Sequence, residues 1–97
     1  MTVVVNSMKE LGSAVRKKEK SILIEDRSLA KKVRKFKGVD GLSKGTMTAA
    51  GFAALGGMEV VYIVGLLVLG VTVLYAIYKD YNVKIKRGDD EIILERA

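Results

Sequence analysis

TMTAAGFAALGGMEVVYIVGLLVLGVTVLYAIY, residues 46–78, decides the predicted architecture of this chain, because Glu59 is its only charged residue. The second part of the stretch, 60–78, would be about 28 Å long as a helix, close to the ~30 Å hydrocarbon core of a bilayer. The first part, 46–57, is rich in glycine and alanine and would reach only about 15–18 Å. We therefore predict a membrane segment over 45–79, with a short helix at 46–57 and a spanning helix at 58–78.

Two glycines and a carboxylate between these parts leave the membrane topology open. Gly56, Gly57 and Glu59 mark either the water-facing end of a single span or the tip of a helical hairpin or re-entrant segment. One long helix, or burial inside a soluble assembly, are further alternatives. Residues 1–44 carry twelve Lys and Arg against five Asp and Glu, and residues 79–97 carry five of each. Because Lys and Arg flank the apolar stretch on both sides, the hairpin is favoured, with both termini cytoplasmic at the cell inner (cytoplasmic) membrane.

The composition narrows the chemistry. The 97 residues include no cysteine and no histidine, so a disulfide framework, a thiolate nucleophile, the usual general base and the commonest metal ligand are all lacking. We expect no enzyme activity, no cofactor and no metal site. The part outside the apolar stretch is too short for a generous core of its own, so we expect a homo-oligomer.

Both flanks carry strand and helix signals. The motif Ser7-Met8-Lys9-Glu10 is a capping box that starts a helix near Met8. Asp26 or Ser28 is placed to cap a second helix. The predicted elements are strands at 2–5 and 21–25, helices from 8 and over 27–37, and a β-hairpin of strands 81–87 and 91–96 around a turn at 88–90. The predicted fold class is α+β: a four-stranded sheet with two helices on one face, built from 1–44 and completed by the hairpin at 80–97, joined to a transmembrane hairpin or re-entrant segment.

Small and polar residues in the apolar stretch are candidates for assembly. Ala49, Ala53 and Gly57 follow the small-xxx-small spacing that lets helices approach closely in lipid. Gly65 and Gly70 miss that spacing but are also candidates for helix packing. Thr46, Thr48 and Glu59 would face the axis of an assembly, where a ring of carboxylates suits a cation pathway.

Cations and tyrosines at the edges of the stretch are candidates for membrane contact. Tyr62, Tyr75 and Tyr78 lie near the two ends of the predicted span, where amphipathic rings prefer the interface. The basic helix offers either a solvated face or contact with anionic lipid headgroups through Arg27, Lys31, Lys32, Arg34, Lys35 and Lys37. Nucleic acid is not an expected partner, because the helix contains no known nucleic-acid recognition motif.

Three short motifs carry a resemblance. They are Ser7-Met8-Lys9-Glu10-Leu11-Gly12, Leu29-Ala30-Lys31-Lys32-Val33, and Tyr81-Asn82-Val83-Lys84 with Glu91-Ile92-Ile93-Leu94. With them, the chain resembles a loose group of small bacterial membrane proteins of unknown activity. The resemblance implies a βαβα opening, a Gly/Ala-rich membrane segment and a C-terminal β-hairpin, and it implies no activity.

Together these observations predict a homo-oligomeric integral membrane protein that contacts lipid and forms a pore or channel. One alternative is a non-conducting membrane scaffold that recruits a partner through its sheet. Another is a small inhibitor or immunity-type protein that binds a different membrane protein. The sequence identifies no protein partner.

Overall fold

The computed structural model describes residues 2–38, 45, 47, 65–87 and 91–97. Its elements, in chain order, are β1 (Thr2–Val5), α1 (Met8–Arg16), β2 (Ser21–Ile24), α2 (Arg27–Lys37), a 3-10 helix (Gly65–Leu69), α3 (Val71–Asp80), β3 (Tyr81–Arg87) and β4 (Glu91–Arg96).

The four strands form one mixed sheet in the order β1-β2-β4-β3. β1 is parallel to β2, with Val3 opposite Ile22, and α1 makes the crossover between them. β4 lies antiparallel to β2, with Ile92 opposite Ile24. β3 pairs antiparallel with β4 and is the edge strand on that side of the sheet. The α+β class and the four-stranded sheet built from both ends of the chain are therefore confirmed.

Local capping sets where α1 and α2 begin. The Ser7 Oγ accepts a hydrogen bond from the Glu10 amide at 3.1 Å, as the capping box predicts. The Glu10 carboxylate accepts from the Asn6 amide at 2.7 Å, one residue earlier than the motif predicts. Of the two candidates for α2, Asp26 is the cap, and its Oδ1 accepts from the Leu29 amide at 2.9 Å. Each cap satisfies an amide that the first helical turn leaves without a partner.

One hydrophobic core lies between the sheet and the helices. The sheet contributes Ile22 and Ile24 from β2 and Ile92 and Leu94 from β4, all with no exposed surface. These residues alternate along their strands, so they share one face of the sheet. The helices cover that face with their apolar sides, which are Leu11, Ala14 and Val15 of α1 and Leu29, Ala30, Val33 and Phe36 of α2.

The structure differs from the expected helix over 58–78 in the part that it describes. Gly70 has φ +86° and ψ 156°, and this conformation separates the 3-10 helix from α3. Leu66, Leu74 and Ile77 have no exposed surface and belong to the same core as α1 and α2. An apolar run is equally suited to lipid and to a protein core, so its composition alone did not reveal this packing. Across the described ranges, no helix combines the length and the apolar character that a membrane crossing requires.

Gly12 explains how the 3-10 helix comes so close to α1. A Cβ atom on Gly12 would lie 3.3 Å from the Leu69 Cδ2 and 3.3 Å from an Arg16 guanidinium nitrogen. Glycine in a helix costs about 1 kcal/mol relative to alanine. Here its missing side chain makes room for Leu69.

Candidate functional site

The cations of α2 lie beside and opposite the side of the helix that enters the core. Leu29, Ala30, Val33 and Phe36 point inward, while Arg27 is exposed. The other five cations, Lys31, Lys32, Arg34, Lys35 and Lys37, are each partly buried. The basic face that the sequence predicts is present, and it is more closely packed than a fully solvated face.

Lys37 is engaged within the molecule. Its Nζ donates a hydrogen bond to the Tyr78 carbonyl oxygen at 2.7 Å, and lies 5.6 Å from the centroid of the Tyr78 ring. Burial lowers the pKa of the Lys37 ammonium from its usual value. Lys37 therefore joins the end of α2 to the end of α3.

Lys32 lies beside Gly65 at the start of the 3-10 helix. A Cβ atom on Gly65 would be 3.3 Å from the Lys32 Nζ. The space at Gly65 is thus used by a lysine side chain, whereas the sequence predicts helix packing there. At Gly70 a Cβ atom would meet no atom of the described residues within 4 Å, so this glycine is required for its backbone conformation and not for close approach to them.

The two described tyrosines of the predicted interface belong to the helix layer. The Tyr78 ring lies 5.7 Å from the buried Phe36 ring, tilted by 57°. Tyr75 is partly buried beside α1 and lines a groove. Both rings therefore contribute packing within the domain.

Seven of the predicted site residues lie outside the described residues. They are Thr46, Thr48, Ala49, Ala53, Gly57, Glu59 and Tyr62.

A groove of about 360 Å³ lies between α1, α3 and one end of the sheet. Its walls are the apolar side chains Val15, Val73 and Ala76, together with two tyrosine rings. Its charged members are Arg16, Lys18, Arg96 and Asp80. The sequence did not indicate this groove, because Arg16 and Arg96 come from opposite ends of the chain and no local motif links them.

Tyr81 forms the inner end of the groove. It has 1% of its surface exposed, and its hydroxyl donates a hydrogen bond to the Glu19 carbonyl oxygen at 2.7 Å. Burial raises the pKa of the Tyr81 hydroxyl; Asp80 and Glu19 add to the rise, and Arg96 opposes it. The hydroxyl is therefore neutral at physiological pH and serves to hold the groove together.

The described residues contain no group of carboxylates that could hold a metal ion. Comparison with protein-family models, curated protein sequences and solved structures found no match. The class that the geometry defines is a small α+β domain with a four-stranded mixed sheet and a three-helix layer.

Proposed function

We propose that this protein attaches to a membrane through the apolar segment 48–64, with its α+β domain on the cytoplasmic side. The apolar composition of 48–64 carries the proposal, and one structural observation supports its topology: Met47 and Leu66, which flank the segment, have 1% and 0% of their surface exposed and belong to the same core. A segment whose two flanks are held in one folded core leaves and re-enters that core on the same side of any bilayer. Both termini therefore share a side as well.

The length of the segment limits how deeply it inserts. Residues 48–64 include a single charge, Glu59. Divided into two helical legs, this segment would reach about 12 Å at 1.5 Å per residue, less than half of the ~30 Å hydrocarbon core. This arithmetic supports a re-entrant segment that enters one leaflet.

The basic face of α2 supports contact with anionic headgroups. A Lys or Arg near an anionic membrane surface contributes about 1 kcal/mol to binding. The candidates are the cations of this face, which are Arg27, Lys31, Lys32, Arg34, Lys35 and Lys37. We expect stronger attachment to anionic than to zwitterionic bilayers.

In this proposal, copies of the chain form a homo-oligomer whose apolar segments together make a pore. Ala49, Ala53 and Gly57 would pack neighbouring segments, while Thr48 and Glu59 would face the axis with Thr46 at its mouth. A pore needs several copies, because one re-entrant segment cannot enclose a channel, and the assembly must also thin the bilayer locally, because each segment reaches less than half of the hydrocarbon core.

Flotation with liposomes tests the attachment. A charged side chain within the hydrocarbon costs about 3 kcal/mol, so Val61→Glu should reduce membrane binding roughly 100-fold. Val68→Glu is the matched control, because Val68 lies in the described domain and is 78% exposed. Equal flotation of Val61→Glu and wild type would show that 48–64 is not the attachment.

Conductance across planar bilayers tests the pore. Wild-type protein should conduct, and Glu59→Gln should reduce cation selectivity, while the exposed Glu25→Gln should not. Native mass spectrometry of the same sample establishes the oligomer. A membrane-bound oligomer without conductance would exclude the pore and favour the scaffold.

A further inference from the structure

We propose that the groove between α1, α3 and the sheet binds a small amphiphilic anion from solution, a molecule with one acidic head and an apolar body. The acidic head would contact Arg16 and Arg96, and the apolar body would lie against α3. This inference does not depend on membrane attachment, because every residue on which it is argued lies in the described domain.

The apolar part of the groove is firmly held. Val15 is 4% exposed, Val73 is 3% exposed and Tyr81 is 1% exposed. Tyr75 and Ala76 are partly exposed on the neighbouring turn of α3 and extend this wall toward solvent. An alkyl chain placed here would cover apolar surface that water now contacts, which favours binding.

The charged part of the groove has an excess of cations. The described lining includes three cations, Arg16, Lys18 and Arg96, and one carboxylate, Asp80. Within the described ranges, neither the Arg16 nor the Arg96 guanidinium takes part in an ion pair, whereas Lys84 and Glu95 on the sheet pair at 3.1 Å. A guanidinium offers a planar fork of donors that matches carboxylate and phosphate oxygens. Charge complementarity therefore selects an anionic head.

Main-chain hydrogen bonds fix the rim of the groove. The Arg96 amide donates to the Lys20 carbonyl at 2.8 Å, and the Lys18 amide donates to the Val15 carbonyl at 3.0 Å. The Tyr81 hydroxyl joins the same loop through Glu19. A site that is already ordered loses less conformational entropy when a ligand binds.

The size of the groove suits a single small molecule. Its volume of about 360 Å³ falls near the lower end of the roughly 300–1,000 Å³ typical of ligand sites. Asp80 at the rim disfavours a second acidic group. The ligand class is therefore a short-chain acid or phosphate ester.

Titration of the full-length protein in zwitterionic nanodiscs tests this inference by ¹H–¹⁵N NMR. The probes are hexyl phosphate, hexanoate, inorganic phosphate and hexanol. Hexyl phosphate should bind at least about tenfold more tightly than inorganic phosphate or hexanol and shift the amides of Thr72, Ala76 and Arg96. Hexanoate distinguishes a carboxylate from a phosphate head. The proposal would be overturned if inorganic phosphate or hexanol bound as tightly as hexyl phosphate.

Variants of the two arginines test where the acidic head of the ligand binds. Arg16→Gln and Arg96→Gln should each weaken hexyl phosphate binding about tenfold, while Lys86→Gln, an exposed cation outside the groove, should leave it unchanged. Both arginines are exposed, so the variants should keep the wild-type thermal unfolding midpoint. Wild-type affinity in both arginine variants would contradict the assignment. So would shifts at these amides that appear only when anionic lipid is added to the nanodisc.

Discussion

Replacing Gly70 by alanine tests the break between the 3-10 helix and α3. Gly70 has φ +86° and ψ 156°, a region that is almost exclusive to glycine and costs other residues about 1–3 kcal/mol. Among the described parts of the chain, a Cβ atom there would have no neighbour within 4 Å, so we assign the cost to the backbone. The lower entropy of the unfolded alanine variant offsets about 0.4–1 kcal/mol. We expect a net loss of about 1.5 kcal/mol.

Denaturant titration followed by circular dichroism measures this loss, with Gly65→Ala as the matched control. The three described atoms nearest to a Cβ on Gly65 belong to the flexible end of Lys32, so the control should unfold at the wild-type midpoint or slightly above it. In thermal unfolding, the Gly70 variant should melt lower by about 4–8 °C per kcal/mol for a domain of this size.

The sign of the Gly70→Ala effect distinguishes two structures. In a continuous helix over 58–78, alanine would be favoured over glycine by about 1 kcal/mol. Unchanged or increased stability of the variant would therefore refute the break at Gly70. A semisynthetic chain with D-alanine at position 70 should regain wild-type stability, because a D-residue prefers positive φ.

Three further predictions concern packing and pH. Leu66→Ala should cost about 2–5 kcal/mol of unfolding free energy, because Leu66 is fully buried. Val68→Ala should cost less than about 0.5 kcal/mol, because Val68 is 78% exposed in the same 3-10 helix, and urea titration compares the two variants. Tyr81→Phe should cost about 1 kcal/mol at neutral pH through the lost hydrogen bond. Since the folded-state pKa of Tyr81 is raised, wild type should also lose stability as the pH rises above 10, and Tyr81→Phe should lack this component in urea titrations across that range. Because the pKa of Lys37 is lower in the folded state, the free energy of unfolding should increase as the pH rises toward 10.5. Lys37→Met should flatten this increase in the same titrations.

Much of the domain could be predicted because its signals are local. Ser7 and Asp26 identify the starts of α1 and α2 through contacts three residues away. Alternation of apolar and polar residues identifies the hairpin strands. A lone hairpin is only marginally stable, so it was expected to pair with the two N-terminal strands in one sheet.

The third helix of the layer could not be predicted from the same signals. Leu66, Leu74 and Ile77 occur in a run that reads as apolar on every side, so no periodicity showed which surface enters a protein core. The left-handed backbone of Gly70 also has no signature beyond the glycine itself. Length and hydropathy therefore favoured a bilayer span where the described residues form part of the domain.

The candidate sites differ in how much of each could be predicted from the sequence. The basic face of α2 was predictable from helical spacing, but the engagement of Lys37 by Tyr78 depends on a contact 41 residues apart. The groove could not be predicted, because the fold brings Arg16 and Arg96 from distant parts of the chain into the lining of one groove. The pore residues Thr46, Thr48 and Glu59 lie outside the described residues and stay predictions.

The strand order has a consequence for biosynthesis. β4 lies between β2 and β3, yet it is translated last of the four strands. When residues 48–64 leave the ribosome, Ile92 and Leu94 have not yet emerged from it, and the pocket that later encloses Met47 and Leu66 lacks one wall. The newly made apolar segment therefore emerges before its own domain can close around its ends.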